Sequence, residues 1–382
     1  MSHRPTIAVL VLVLALAAAA CGGGADATSV SSADDQSSGQ AADGTPDGAS
    51  GPVIIATPNI LADLTSRLVG DAATVVALMP TGADPHSFQL SSAQGQTLRD
   101  ADLVVANGLG LEEGMLDALE AAAEDGVEVV SLAETVEPLA GSDDADGRDD
   151  DHADDDHADE DHADEEHADE EHADEEHADE EHADEEHADE NESEEGHVHE
   201  HDHADGDPHF WLDPERVAEA MADLAHHIAE VDDTLTAEEW AARADDLATE
   251  LDALDDELEE ILSVVPEDRR VLVTNHDSYD YFADAYDFEV LGTVIPGGAT
   301  LAEPSAADLE ALVEAIRDAG VPAIFAETTD PSRLAEVVAE EVGREVAVVE
   351  LYGGSLSDAD GPVATYADYM RHNATLIADA LG

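Results

Sequence analysis

The sequence contains no lysine, a single cysteine and only one long apolar run. All 12 of its basic residues are arginines, and the chain contains 96 aspartates and glutamates. The 382-residue chain therefore has a formal net charge of −84 at pH 7. Such a surface repels phosphate groups, which excludes unaided binding to nucleic acid or to anionic lipid. The length is sufficient for two domains of ordinary size.

The one cysteine, Cys21, has no partner in the chain, so an internal disulfide is excluded. It directly follows the apolar run at 7–20, which has the length of a signal-peptide core and is short for a membrane span. Small residues precede Cys21, and the pattern resembles a bacterial lipobox, with cleavage before Cys21 and lipidation of its thiol. We therefore expect residues 1–21 to be a signal peptide with lipobox; a plain secretory signal with an incidental cysteine is the alternative. The polar residues 22–52 then form a flexible tether.

Residues 142–207 form a histidine- and acid-rich insert that contains 36 acidic residues and one arginine. Between 143 and 197 no apolar residue is larger than alanine, so the insert cannot bury a core and is expected to be disordered. Histidine stands at every fifth position, eight times in succession, from His152 to His187, and each is followed by alanine and acidic residues. This regular spacing favours weak, auxiliary metal binding over a purely solubilising role. The histidines expected to take part are His152, His157, His162, His167, His172, His177, His182, His187, His197, His199, His201 and His203.

Short apolar runs alternate with helical patterns on both sides of the insert, which predicts parallel βαβ units. We expect an α/β fold of two (β/α) lobes with parallel sheets, joined by a long, rigid backbone helix. The first lobe is expected to span 53–231 and to carry the insert, the linking helix 232–265, and the second lobe 266–382. The pattern at 236–264 has apolar positions three and four residues apart and contains no glycine or proline.

Seven histidines lie outside the insert, and three of them stand in polar loops at the ends of predicted elements. His86 follows the second strand, His209 follows the insert, and His276 follows the first strand of the second lobe. Because open α/β sheets bind ligands beyond the carboxyl ends of their strands, we expect these side chains to form one metal site between the lobes. The histidines expected to be surface or packing residues of helices are His226, His227 and His372.

The segments around these histidines resemble the zinc/manganese class of ABC-transporter substrate-binding proteins, over residues 53–382. The motifs that carry the resemblance are, in order, GADPHSFQLS, ADLVVANGLGLEEGM, DPHFWLDP, TNHDSYDYFA, IPGGATLAEPSAADLEALVEAI, IFAETTDPSRLAEVVAEEVG and LYGGSLSDADGPVATYADYMRHN. The resemblance implies two lobes bridged by one rigid helix, with the metal ion held between them. It also implies that His86, His209 and His276 are the ligands. Histidine rather than glutamate at position 276 favours Zn²⁺ over Mn²⁺, in agreement with the preference of imidazole for zinc.

The resemblance leaves the fourth ligand open. The family often supplies an aspartate near the C-terminus, but Gly354 stands at the matching position. Glu327, at the end of a predicted strand, is the candidate side chain; a water molecule and a residue of the insert are the alternatives. Asp213 and Asp277 are expected to orient metal-ligating histidines, although Asp213 precedes Pro214 and equally fits a helix cap.

The resemblance implies a non-enzymatic protein that captures zinc outside the cytoplasm and delivers it to an ABC permease and its ATPase. We expect a monomer that is anchored in the cell membrane by lipid or is periplasmic. The alternatives are a zinc-buffering or adhesin-type surface lipoprotein, and transport of manganese instead of zinc. An enzyme with catalytic zinc is disfavoured, because the sequence identifies no separate general base or substrate pocket.

Overall fold

The structure is a computed structural model that describes residues 51–139, 206–297, 300, 302–329 and 333–382. The expected signal peptide, the lipidation site Cys21, nearly all of the tether and the 12 histidines of the insert lie outside these ranges. Within the described ranges, no helix combines the length and the apolar character that a membrane crossing requires.

The first lobe contains a four-stranded parallel sheet with the strand order β2-β1-β3-β4. Its elements are β1 (Val53–Ala56), α1 (Asn59–Val69), β2 (Thr74–Ala77), α2 (Ser92–Arg99), β3 (Leu103–Ala106), α3 (Leu116–Glu124), β4 (Glu128–Ser131) and α4 (Pro214–Val231). Ile54 and Leu103 point into the core formed with α1 and α4, whereas Ile55 and Val104 pack on the side of α2 and α3. Helices thus cover both faces, which explains why the central strands β1 and β3 are apolar throughout and do not alternate.

The second lobe repeats this plan with a parallel sheet of strand order β6-β5-β7-β8. Its elements are β5 (Val271–Thr274), α6 (Asp280–Ala285), β6 (Glu289–Thr293), α7 (Ala306–Ala319), β7 (Ala323–Glu327), α8 (Arg333–Glu341), β8 (Ala347–Leu351) and α9 (Tyr366–Leu381). Ile324 and Ala326 pack with α7 and α8 on one face, and Phe325 faces the other side. All five residues of β7 are buried, so Glu327 ends a strand that lies in the interior of its lobe.

A helix of 26 residues, α5 (Ala237–Leu262), packs against α4 on one side and α9 on the other. At a rise of 1.5 Å per residue it is about 39 Å long. Thr236 caps its start and forms a capping box with Glu239, which satisfies two backbone N–H groups of the first turn. Its buried side chains include Leu247, Leu251 and Leu254, at the spacing of one helical face.

One buried apolar cluster passes through both lobes and includes α5. Ile60 of α1, Leu224 of α4, Leu251 of α5, Phe325 of β7 and Ile377 of α9 all belong to it. Protein interiors are close-packed, so a large rotation of one lobe against the other would disrupt these contacts. The continuous core therefore restricts relative movement of the lobes to small displacements.

The α/β fold of two parallel-sheet lobes is confirmed, and the helical pattern at 236–264 corresponds to α5, Ala237–Leu262. The last helix begins at Tyr366, because the side chain of Thr365 caps it by accepting from the backbone N–H of Asp368. The start of α2 is fixed by a capping box in which Ser91 and Gln94 bond reciprocally.

Candidate metal-binding site

Three imidazoles meet where the loops that follow β2 and β5 approach the segment that leads into α4. The Nε2 atom of His209 lies 3.2 Å from Nε2 of His86 and 3.4 Å from Nε2 of His276. One possible ligand atom of each residue lies within 4.8 Å of those of the other two. All three residues are buried, with exposed fractions of 5% for His86, 3% for His209 and 2% for His276.

This spacing is suited to a metal ion. A neutral imidazole has one N–H donor and one acceptor nitrogen, so hydrogen bonds alone cannot satisfy three nitrogens that point at one another. A single cation accepts all three lone pairs. In a tetrahedral zinc site with Zn–N bonds of about 2.0–2.1 Å, two ligand nitrogens are separated by about 3.3–3.4 Å. The two measured Nε2–Nε2 distances, 3.2 and 3.4 Å, are close to this value.

A hydrogen-bonded turn shapes the loop that carries His86. The carboxylate of Asp84 accepts from the backbone N–H of His86 at 3.1 Å and from the hydroxyl of Ser87 at 2.7 Å. It also accepts from the hydroxyl of Thr300, which belongs to the second lobe, at 2.7 Å. Asp84 thus fixes the backbone of the His86 loop and joins it to the opposite lobe.

Asp207 orients His209. Its Oδ1 atom lies 2.6 Å from Nδ1 of His209 and also accepts from the His209 backbone N–H at 2.9 Å. A carboxylate only accepts, so Nδ1 carries the proton and Nε2 is left to face the other two histidines. In the sequence Asp207 is the last residue of the insert, but in the structure it is buried beside His209.

A buried polar network holds the segment before His209. The side-chain amide of Asn107 donates to the carbonyl of Pro208 at 2.9 Å. Glu112 in turn accepts from the backbone N–H of Asn107 at 2.7 Å and from the hydroxyl of Thr57 at 2.5 Å. Burial raises the pKa of Glu112, although these hydrogen bonds oppose the increase. The network ties His209 to the carboxyl ends of β1 and β3.

Glu327 stands beside His276. Nδ1 of His276 is 3.2 Å from Oε1 of Glu327, and the same oxygen accepts from the hydroxyl of Ser278 at 3.0 Å. Burial would lower the pKa of His276, but the charge of Glu327 and contact with it outweigh burial and raise it. Burial would likewise raise the pKa of Glu327, but His276 lowers it. The two groups therefore stabilise each other as an ion pair whenever the imidazole is protonated.

Glu327, the candidate for the fourth ligand, lies on the side of His276 away from the other two imidazoles. The carboxylate faces Nδ1 of His276, whereas Nε2 of the same ring faces His209. Among the described residues, the cluster of potential ligand atoms here comprises the three imidazoles without Glu327. Glu327 thus faces Nδ1 of His276 as Asp207 faces Nδ1 of His209, but across 3.2 Å instead of 2.6 Å.

Two glycines allow the loop after β8 to approach the site closely. A Cβ atom on Gly353 would lie 2.0 Å from Oε2 of Glu327, and one on Gly354 would lie 2.6 Å from Cγ of Pro85. Contacts of this length would force the neighbouring atoms to move. Gly354, at the position where the family often has an aspartate, therefore packs directly against the residue that precedes His86.

The other residues singled out by the sequence take structural positions. Asp213 caps α4, because its carboxylate accepts from the backbone N–H of Glu215 at 2.8 Å; burial raises its pKa. Asp277 is buried next to His276. His372 packs edge-on against Tyr352, with ring centroids 5.6 Å apart. His226 is exposed on α4, while His227 contacts Glu128.

Four residues of the site, Asp84, Asp207, Asn107 and Glu112, were not predicted from the sequence. A local signal for the two aspartates is present, because the triplet Asp-Pro-His occurs at 84–86 and again at 207–209. In both copies the aspartate accepts the backbone N–H of the histidine two residues later. Asn107 and Glu112 carry no such signal, because their contacts depend on the packing of distant segments.

Comparison with known proteins identifies the family of the chain. The family model described as "Zinc-uptake complex component A periplasmic" (ZnuA) matches residues 54–380. The high-affinity zinc uptake system protein ZnuA of Paracoccus denitrificans is 37% identical over 333 residues, which cover 87% of this chain and 92% of that protein. The manganese-binding lipoprotein MntA of Halalkalibacterium halodurans is 24% identical over 338 residues, which cover 88% of this chain and 91% of that protein.

A solved structure shows the same fold. The periplasmic zinc-binding protein TroA from Treponema pallidum superposes with a TM-score of 0.66 at 24% identity, over 87% of this chain and 99% of that chain. The match to the family model covers both lobes and all three histidines of the site. The chain therefore belongs to the zinc-uptake complex component A family, whose members are metal-binding, substrate-binding proteins of ABC transporters and not enzymes.

Proposed function

We propose that this protein captures Zn²⁺ outside the cytoplasm through His86, His209 and His276 and delivers it to an ABC permease driven by its ATPase. The observation that carries the proposal is the convergence of three buried imidazoles, with Nε2–Nε2 distances of 3.2 and 3.4 Å. The metal ion is cargo, so the site must hold it tightly and still release it. Since His276 belongs to the second lobe and the other two to the first, a small separation of the lobes would remove one ligand.

The donor set supports zinc over manganese. Imidazole nitrogen suits zinc, whereas manganese prefers several oxygen ligands in octahedral geometry. The carboxylates next to the site do not supply them, because Asp207 and Glu327 face the Nδ1 atoms of the histidines. Gly354 has no side chain to offer. The relatives include proteins named for zinc, manganese and iron, so this choice of metal rests on the residues of the present chain.

The two carboxylates prepare the imidazoles for the ion. Asp207 and Glu327 hold the rings of His209 and His276 in orientation and increase the basicity of the nitrogens that bind metal. Their charges also compensate part of the charge of a divalent cation in a buried site. We infer that the fourth position of the zinc ion is taken by water or by a residue of the insert.

The described residues on either side of the insert meet beside this site, because the backbone N–H of Asp207 donates to the carbonyl of Leu139 at 3.0 Å. Asp207 in turn contacts His209. We propose that the 12 histidines of the insert act as auxiliary, weak and rapidly exchanging zinc ligands close to the cleft. One histidine per repeat cannot close a tetrahedral site, so several repeats must contribute to each ion.

We propose further that Cys21 is lipidated and that the mature protein is a monomer tethered to the outer face of the membrane. Relatives named as lipoproteins support this anchor. Replacement of Cys21 by serine should release the protein from the membrane fraction and abolish labelling with a radioactive fatty acid. Retention of the label after this change would contradict the assignment. The buffering and adhesin alternatives are not favoured, since the chain belongs to a family of transport proteins.

The test of the zinc site uses the full-length protein, loaded with zinc and then exposed to a chelator that strips weak sites. The wild-type protein should retain one zinc ion, measured by atomic emission, and a His86→Ala/His276→Ala double variant should retain none. His226→Ala, an exposed position on α4, is the matched control and should retain one ion. Circular dichroism of each variant checks folding. A tightly held ion in the folded double variant would show that these histidines are not the ligands.

A further inference from the structure

A second cluster of metal-ligating side chains lies on the surface of the first lobe, away from the three-histidine site. Glu128 of β4 and two residues of α4, His227 and Glu230, place potential ligand atoms within 4.8 Å of one another. Nδ1 of His227 is 2.6 Å from Oε1 of Glu128. These residues come from separate parts of the chain, and the contact joins α4 to the amino end of β4.

This cluster is spatially distinct from the cleft. The helix α4 begins at Pro214, next to the three-histidine site, and His227 lies 13 residues further along it, which corresponds to about 20 Å. Glu128 is the first residue of β4, and the cleft lies at the carboxyl ends of the strands. An ion bound at the cluster would therefore not share ligands with an ion in the cleft.

A third carboxylate lies on the opposite side of the imidazole from Glu128. Nε2 of His227 lies 3.4 Å from Oδ2 of Asp223, which precedes it by one helical turn. Without a metal ion, the 2.6 Å contact of Nδ1 with Glu128 places a proton between these two atoms. A metal ion would take the place of that proton, and Nε2 would then carry the proton of the ring on the side of Asp223. Metal-binding histidines characteristically donate their other ring N–H to a carboxylate in this way.

We propose that Glu128, His227 and Glu230 form a second binding site for a divalent transition metal of the zinc type. One imidazole and two carboxylates provide three ligands, and water completes a tetrahedral shell. The side chains of His227 and Glu128 are 36% and 31% exposed, so an ion reaches the site directly from solvent. Because exposed side chains lose more freedom on binding and compete with water, this site binds more weakly than the buried one. The bound ion links α4 to β4, because its ligands come from both elements.

The test must report on His227 alone, because the insert contains many other histidines. Carbethoxylation by diethyl pyrocarbonate, quantified residue by residue with mass spectrometry, meets this need in the full-length protein at pH about 8, where most imidazoles are neutral. An imidazole with a metal on one nitrogen and a proton on the other has no free lone pair and does not react. Zinc at ten times the Kd of the site should therefore slow the reaction of His227 about tenfold.

The matched comparison is a Glu128→Gln/Glu230→Gln double variant, which preserves shape and removes both charged ligands. Its His227 should react at nearly the same rate with and without zinc, while the histidines of the cleft stay protected and report intact folding. His226, exposed beside His227 but outside the cluster, should be unaffected by the substitutions. Zinc protection of His227 that is equal in the two proteins would overturn the proposal. The proposal would also be overturned if zinc filled the cleft of the wild-type protein without slowing the reaction of His227. The cluster would then be an ion pair only.

Discussion

Asp207 accepts a hydrogen bond from Nδ1 of His209 across 2.6 Å, although a single proline separates the two residues in the chain. The same oxygen accepts the backbone N–H of His209 at 2.9 Å, so one carboxylate fixes both the backbone and the ring. The imidazole is thereby held with Nε2 toward His86 and His276. Asp207 is also the last residue of the insert defined from the sequence, so the insert ends beside the three-histidine site.

Replacement of Asp207 by asparagine should weaken zinc binding by about 10–100-fold, because asparagine accepts more weakly and leaves Nδ1 of His209 without a charged partner. Competition titrations against a fluorescent chelator measure this loss. Asp233→Asn, an exposed position just after α4, is the control and should bind zinc as the wild-type protein does. Equal affinity in the two variants would mean that Asp207 has no orienting role.

Two deletions that differ by two residues should distinguish the contribution of the insert to zinc binding from that of Asp207. Removal of 142–205 retains Asp207 and its hydrogen bond to Leu139, so the fold and the tight zinc site should persist while weak sites disappear. Removal of 142–207 also deletes Asp207 and should weaken the tight site by about 10–100-fold. Calorimetric titration of both proteins gives the numbers of weak and tight sites. Loss of the tight site in the shorter deletion would place a residue of the insert among the primary ligands.

Substitution of Glu327 by glutamine should change the pH dependence of zinc binding. Metal binds neutral imidazole, and Glu327 raises the pKa of His276, so protons compete with zinc up to a higher pH than they would otherwise. Without the charge of Glu327 the pKa of His276 falls. The pH at which half of the zinc affinity is lost should therefore be lower in the variant than in the wild-type protein. At alkaline pH the affinity should drop by about 10–100-fold, because the ring is less firmly held.

The control for this experiment is Glu350→Gln, an exposed glutamate on the neighbouring strand β8, which should leave both quantities unchanged. X-ray absorption spectroscopy of the protein with one equivalent of zinc distinguishes whether Glu327 orients His276 or binds the zinc ion directly. An orienting carboxylate leaves the number of nitrogen and oxygen neighbours unaltered in the variant. Loss of one oxygen neighbour on substitution would instead identify Glu327 as a direct ligand.

Side chains at position 354 should weaken zinc binding rather than improve the binding of manganese. A Cβ atom there would lie 2.6 Å from Cγ of Pro85, so Gly354→Ala forces the His86 loop away from the opposite lobe. We expect a loss of zinc affinity of about tenfold, which corresponds to about 1.4 kcal/mol. Gly354→Asp should show at least the same loss. A gain in manganese preference in this variant would contradict the steric argument and show that the carboxylate reaches the ion.

Gly95→Ala provides the matched control, because a Cβ atom at this helical position meets only the end of the Arg99 side chain, at 4.0 Å. It should leave zinc affinity unchanged. Replacement of glycine by alanine inside a helix should also raise the free energy of unfolding by about 0.5–1 kcal/mol. Chemical denaturation of the metal-free protein measures this increase.

Asp280 should make the metal-free protein less stable at alkaline pH. Burial, followed by the charges of Asp277 and Asp207, raises the pKa of Asp280 from 3.8 to about 7. Between these values the folded state binds a proton that the unfolded state has released, so stability falls as the pH rises through this window. Asp280→Asn removes the titration and should stabilise the protein by about 1–2 kcal/mol above pH 7, a figure reduced for partial solvent exposure.

Below pH 4 this advantage of Asp280→Asn should vanish, because the carboxyl group is then protonated in both states. Denaturant titrations at acidic and alkaline pH give the difference between variant and wild type. Asp252→Asn, on the exposed face of α5, should show no comparable dependence. A constant difference between Asp280→Asn and the wild-type protein across the whole range would mean that Asp280 titrates normally.

The alternation of apolar runs and helical patterns was enough to predict two parallel sheets and the long helix α5. Strand and helix types depend on the local spacing of side chains, and that spacing is visible in a single sequence. The three loop histidines were also identifiable, because His86 and His276 directly follow strands whose carboxyl ends form ligand sites. The Asp-Pro-His triplets at 84–86 and 207–209 carried a further local signal, which the structure explains through the bonds at 3.1 and 2.9 Å.

Tertiary structure decided the contacts between distant segments. The position of Glu327 at the end of β7 suggested a ligand, but the packing of β7 beside β5 turns its carboxylate toward Nδ1 of His276. The close approach of Gly354 to Pro85, and the contact between Glu128 and His227, join residues that are far apart in the chain. No local pattern encodes these distances, because they depend on how both sheets and the helices between them pack into one core.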